Sequence, residues 1–238
     1  MHPVRVGLSG FSYKPWQGEG RFYPPELKAS QFLDFYAQRY TAVEMDGTWY
    51  RMPSEEGVAK WRDGTPAGFE FCPKMHRDVT HMRRLKPEAF DSAKFFLARL
   101  KPLAEAGKLG PVLVQLPPNM KKDVERLDAF LAEFAAGNRL ALEFRHESWN
   151  DDAVADTLRR HNAAFVASDT DDMDAVRRDT ADFAYARLRK CDYSDDDLRA
   201  WAATIRGLGK PTWVFLKHED EGSPWIWADA LLGHLGAG

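Results

Sequence analysis

Eight short stretches with strand-like side-chain alternation run along the 238-residue chain, and most are followed by a stretch whose apolar residues recur at helical spacing. The strand readings are 4–9, 42–46, 69–74, 111–116, the start of 140–149, 164–168, 183–188 and 212–217. Between them Ser30 is a candidate cap before Phe32, Leu33, Phe35, Tyr36 and Tyr40, and Ser54 opens a helix to Trp61. Helical readings follow at 89–100, 123–134, 151–161, after a cap at Ser194, and at 224–235. Strands that alternate with helices pair in parallel, with one face packed on helices and the other turned inward. No G-x-G-x-x-G follows the first strand, so a dinucleotide-binding sheet has no support. The prediction is an α/β chain forming a TIM-like (β/α)8 barrel as a single domain over residues 1–238.

The stretch 140–149, Leu-Ala-Leu-Glu-Phe-Arg-His-Glu-Ser-Trp, carries the strongest functional signal. As a strand it sends Leu140, Leu142 and Phe144 toward helices, and Ala141, Glu143 and Arg145 inward. A buried ion pair that only fixes packing is the plain alternative. Other strands repeat the pattern: Glu44 with Asp46, Cys72 with Lys74, Tyr185 with Arg187, and Phe215 with Lys217. Barrel enzymes build their sites from strand C-termini and the loops beyond them. The expected site therefore gathers Glu44, Asp46, Lys74, Gln115, Glu143, Arg145, Asp169, Arg187 and Lys217, with His81 and His146 on adjacent loops.

So many cations favour an anionic, phosphorylated or carboxylated ligand, with Arg145 or Arg187 as a two-point clamp and Lys74 as a point charge. Glu143, Asp169 and Glu44 are the acid/base candidates and His146 a proton carrier, as in a hydrolase or lyase. Trp16, Trp49, Tyr50 and Trp149 either stack on a ligand at the rim or pin their loops. No resident cofactor is implied. A divalent metal held by Glu44, Glu143, Asp169 and His146 or His81 is an alternative without recognisable ligand spacing.

A net charge of −3 gives no general signal for nucleic acid or anionic membrane. The basic segment 75–85, with Arg77, Arg83 and Arg84, keeps a nucleic-acid-binding or scaffold reading as the rival. Two cysteines are too few for a disulfide framework, no run reaches membrane-spanning length, and residues 1–9 lack a secretory pattern. The expected location is the cytoplasm, and the oligomeric state is open.

Several short motifs together resemble one family. They are Gly7-Leu-Ser-Gly-Phe-Ser-Tyr-Lys-Pro-Trp16, Phe22-Tyr-Pro24, Val43-Glu44 with Thr48-Trp-Tyr50, and Phe69-Glu-Phe71 through Lys74. Thr80-His81, Gln115-Leu-Pro-Pro118, Glu143-Phe-Arg-His-Glu-Ser-Trp149, Asp169, Tyr185-Ala-Arg187 and Leu198-Arg-Ala-Trp-Ala202 extend the match over nearly the whole chain. The set is similar to the YecE-like proteins, domain of unknown function 72. That resemblance implies a TIM-like barrel and no established reaction. The chain departs from the family pattern at Asp46-Gly47, at Arg189-Lys190 and at Lys217-His218-Glu219, which makes the mouth more cationic.

Overall fold

Strands β1 (Val4–Leu8), β2 (Ala42–Met45), β3 (Glu70–Pro73), β4 (Val112–Gln115) and β5 (Leu140–Glu143) are short and largely buried. The sixth stretch is two pieces, β6 (Ala164–Phe165) and β7 (Ala167–Ser168), followed by β8 (Ala184–Leu188) and β9 (Thr212–Leu216). The computed structural model describes residues 2–217 and 223–236, and every pairing between these strands is parallel. Extended pairings join β1 to β9, β9 to β8, β8 to β7, β6 to β5, β5 to β4, and β3 to β2. Isolated parallel bridges supply the two remaining joins, Lys74 to Leu113 and Ser9 to Glu44. Followed from β1, the contacts lead through every strand and back. The sixth strand breaks because it changes partner: Val166 still donates to the Leu142 carbonyl at 2.9 Å, whereas Ala167 and Ser168 pair with β8.

Helices α1 (Phe32–Ala37), α2 (Gly47–Tyr50), α3 (Glu55–Asp63), α4 (Phe90–Glu105), α5 (Val124–Phe134), α6 (Asp152–Arg160), α7 (Asp195–Gly207) and α8 (Pro224–Gly236) occupy the connections. Ser54, Asp123, Asp151 and Ser194 accept backbone N–H groups at four of their starts, satisfying donors that no helical carbonyl reaches. Ser30 is no cap; it sits inside a 3₁₀ turn (Ala29–Gln31) that runs into α1. The basic segment after β3 is likewise no open loop, since Asp78–Met82 winds into one π-helical turn.

Residues 169–183 cross from β7 to β8 without a helix. The outer wall at Ala167, Ala184 and Ala186 therefore faces a cavity of about 250 Å³, closed by the 177–180 segment and by Trp201, Ile205 and Leu208.

The barrel lumen is filled. Cys72, Leu113, Ala141, Phe183, Tyr185, Trp213 and Phe215 form an apolar layer separate from the larger core between strands and helices. At the N-terminal end Glu70 takes Arg5 at 2.8 Å and the Trp213 indole N–H at 3.0 Å, with Arg5 and Arg139 over the Trp213 ring. This floor and the layer above it leave the C-terminal mouth as the polar end open to chemistry.

The seam between β1 and β2 depends on a side chain. Tyr36 from α1 places its hydroxyl between the strands, accepting from Leu8 N–H at 2.7 Å and donating to the Ala42 carbonyl at 3.0 Å. A Cβ on Gly7 would stand 2.1 Å from that carbonyl oxygen, so only glycine fits there. Tyr36→Phe would leave a buried donor and a buried acceptor unpaired. It is expected to cost about 1–3 kcal/mol, read as a lower urea midpoint at unchanged slope.

Candidate active site

Arg187, at the end of β8, is fully buried at the centre of the mouth. Its Nη1 donates to Glu143 Oε2 at 2.6 Å, and its Nη2 donates to Glu44 Oε1 at 2.7 Å and to Ser9 Oγ at 3.3 Å. Tyr185 donates to the other Glu44 oxygen at 2.6 Å, and Ser9 reaches both Glu44 and Asp46. One guanidinium thus ties together β1, β2, β5 and β8. Arg145 lies past the end of β5, its Nε 2.6 Å from Glu143 Oε1 as an ion pair without hydrogen-bond alignment.

These contacts set the titration of the cluster. Burial works to raise the Glu143 carboxyl, but Arg187, Arg145, Arg189 and Lys74 outweigh it and hold the group at about 2. Burial also opposes the charge of Asp46, which Arg187, Lys217 and Lys74 keep below the usual carboxylate range. Neither is a proton donor near neutrality. Lys74 moves toward that range instead: burial, with Arg187 and Lys217 nearby, brings it down to about 8 against the opposing pull of Asp46.

Lys74 stands 3.7 Å from Asp46 Oδ1, and Lys217 stands 3.5 Å from Oδ2 of the same carboxylate. The ammonium also lies 5.2 Å from the Trp49 ring centroid. On its other side Trp49 meets His81, edge to face at 4.8 Å, and directs its indole N–H at Nδ1 from 3.4 Å. The same Nδ1 lies 2.9 Å from Thr80 Oγ1, with the direction of that bond set by the tautomer of the ring. Burial and the charges of Lys74, Arg145 and Arg84 lower the His81 pKa.

Several expected residues lie elsewhere or do other work. Asp169 is buried and spoken for, accepting from Arg189 N–H and Tyr193 O–H at 2.7 Å and from Trp201 Nε1 at 3.3 Å. These bonds tie the turn after β7 to α7, and burial raises the Asp169 pKa. His146 turns Nδ1 onto the Ser148 backbone N–H at 3.1 Å, closing a short turn. Trp16 is buried against Tyr13, Phe22 and Trp225, while Trp149 stacks on Phe144 and donates to the Met120 carbonyl at 2.7 Å. Both pin loops. Tyr50 is exposed beside Trp49, and Gln115 sits beside Glu143 in the β4–β5 register.

The alternative metal set does not converge, and among the described residues no three acidic, imidazole or thiol groups come together as ligands. Arg83 and Arg84 bind their own segment and Asn119, while Arg77 remains exposed. Of the expected departures from the family pattern, His218 and Glu219 lie outside the described residues.

Ser9, Tyr185 and Arg189 join the site although none was in the expected set: Tyr185 entered only as the strand neighbour of Arg187, and Arg189 only as a departure from the family pattern. Each had a signal in strand parity: Ser9 shares a face with Arg5 and Gly7, and Arg189 continues the Tyr185–Arg187 face past the strand end. Arg189 carries two buried nitrogens, Nε and Nη1, with no hydrogen-bond partner among the described residues. Burial lowers its pKa despite the pull of Glu143.

Because Glu143 has a lower pKa folded than unfolded, its ionisation stabilises the fold above about pH 4.3, and that contribution fades as pH falls toward 2. Glu143→Gln leaves Arg187 underpaired and is expected to cost about 3–5 kcal/mol at pH 7. The gap to the parent protein should shrink through that acid window in urea titrations at stepped pH.

The profile of a family described as "Protein of unknown function DUF72" matches residues 5–238. The chain is 29% identical over 154 residues to UPF0759 protein YunF of Bacillus subtilis (strain 168), covering 61% of this chain and 52% of that protein. It is 28% identical over 144 residues to UPF0759 protein YecE of Escherichia coli (strain K12), covering 60% and 48%. The matched region is about half the length of these curated relatives. Among solved structures, a DUF72 family protein of Thermotoga maritima MSB8 superposes with a TM-score of 0.85 at 29% identity, covering 99% of this chain and 100% of that one. A DUF72 family protein of Enterococcus faecalis V583 superposes at 0.80 with 20% identity, covering 98% and 96%, a likeness of fold. With its profile matched almost end to end and its parallel α/β architecture shared, the chain belongs to the DUF72 family.

Proposed function

We propose that the chain is an enzyme whose C-terminal barrel mouth takes a small anionic substrate bearing a phosphate or carboxylate. The observation that carries the reading is Arg189, a part-buried guanidinium next to Arg145 and Arg187 whose Nε and Nη1 are buried with no hydrogen-bond partner among the described residues. A buried, unpaired guanidinium is costly, and an oxyanion satisfies it in paired fashion. Charge points the same way: among the described residues Lys74, Arg145, Arg187, Arg189 and Lys217 face Glu44, Asp46 and Glu143.

The acid/base roles move accordingly. Glu143 and Glu44 are electrostatic anchors for Arg187, Lys74 is the group brought into range to exchange a proton near neutrality, and His81, its pKa lowered by burial and by Lys74, stands beside it as a neutral imidazole. Rigid placement of the cations by buried ion pairs supplies the preorganised field that stabilises developing negative charge.

Inorganic phosphate is the first probe. It is expected to raise the melting temperature in a saturable way that sodium chloride at equal ionic strength does not reproduce. Arg189→Gln should lower phosphate affinity at least tenfold, while the ligand-free variant melts no lower than the parent because a strained charge has gone. Unchanged affinity in the variant, or no saturable effect of phosphate, overturns the reading.

A further inference from the structure

Two lysines flank one carboxylate at this mouth, and they are not equivalent. Lys74 Nζ lies 3.7 Å from Asp46 Oδ1 with its side chain 10% exposed, whereas Lys217 approaches Oδ2 with 17% exposed. The Lys74 backbone is also fixed. Thr48 Oγ1 accepts from Lys74 N–H at 3.0 Å and lies 2.7 Å from both the Lys74 and Met45 carbonyl oxygens. The Trp49 face packs along the amine. The charged and titratable groups around it are Glu44 from β2 and Asp46 just past it, Glu143 from β5, Arg187 from β8, Lys217 just past β9, and His81 from the π-helical turn.

We infer that Lys74 is a nucleophile that condenses with an aldehyde or ketone carrying a phosphate or carboxylate, the anion resting on Arg145 and Arg189. The inference rests on the anion-site reading above and names the substrate class for it. A lysine desolvated beside other cations keeps an amine lone pair at near-neutral pH, which is the condition for attack on a carbonyl carbon.

The ammonium first yields a proton to solvent. The lone pair then forms the C–N bond as the carbonyl π pair moves to oxygen, and one proton passes from the nitrogen to that oxygen to give the neutral carbinolamine. The carbinolamine next loses its hydroxyl as water with one further proton, leaving a protonated imine. Amine and carbonyl are consumed and one water is released, with no change of oxidation state. The protonated imine can draw the electron pair of an adjacent C–H bond, its proton going to solvent, or of a C–C bond, the departing carbon leaving as a carbonyl as its hydroxyl gives up a proton. Protonation of the resulting enamine carbon restores the imine, and water hydrolyses it to the carbonyl product and the free amine. This is lyase chemistry without an external cofactor.

Pyridoxal 5′-phosphate, an aldehyde with a phosphate, serves as probe, and pyridoxal is its phosphate-free control. After borohydride reduction and peptide mapping, the expected result is one equivalent on Lys74, at least tenfold faster than with pyridoxal and suppressed by inorganic phosphate. The rate should level off above about pH 8, whereas ordinary surface lysines keep gaining reactivity toward about 10.4. Lys74→Arg keeps the charge and should abolish this label while phosphate still raises the melting temperature. If phosphate binds but label scatters over surface lysines or falls on Lys217, the nucleophile assignment is overturned and the anion site stands. If phosphate has no saturable effect on any of these proteins, the anion-site reading fails and the inference falls with it.

Discussion

A single buried guanidinium organises the mouth of this barrel. Arg187 lies between Glu44 and Glu143 and also reaches Ser9, so the ends of strands distant in sequence are tied through one planar group. In so desolvated a place none of the partners tolerates being alone, and the pairings are mutually enforcing. What the network contributes is position more than net stability. It fixes where charge sits around Lys74, Arg145 and Arg189.

That arrangement works because the barrel is closed below it. The Arg5–Glu70–Trp213 floor and the apolar layer of Cys72, Leu113, Ala141 and Phe215 fill the lumen. Polar groups are confined to the two ends, and functional ones to the end where the long connections emerge. The cavity on the outer wall has another origin. It follows from a missing helix between β7 and β8 over a wall of small residues, and none of the mouth's charged side chains lines it.

Electrostatics also redistributes chemical roles. A carboxylate beside two arginines looks like a catalytic acid in a sequence, yet the same arginines hold Glu143 deprotonated far below neutrality. Asp169 is engaged by three donors that tie the turn after β7 to α7. Lys74, named first as a mere point charge for an anion, is the group whose surroundings shift it toward the working range.

Much of this was written in the chain. Alternation placed Glu44, Lys74, Glu143 and Arg187 on inward faces at strand ends, because side chains on a strand change face at every residue and parallel barrels put those ends together. Arg145 lies beyond the last ladder residue yet still meets Glu143, as alternation placed it, but the rule said nothing of loop aromatics. Trp16 and Trp149 went into the core while Trp49 stayed at the mouth, an outcome decided by which neighbours each indole could bury against and bond to. Periodicity determines the face on which a residue lies. Its partner, its depth and therefore its charge state arise only when strands far apart in sequence close into a ring, since Coulomb interaction and desolvation depend on distances in space that no local pattern contains.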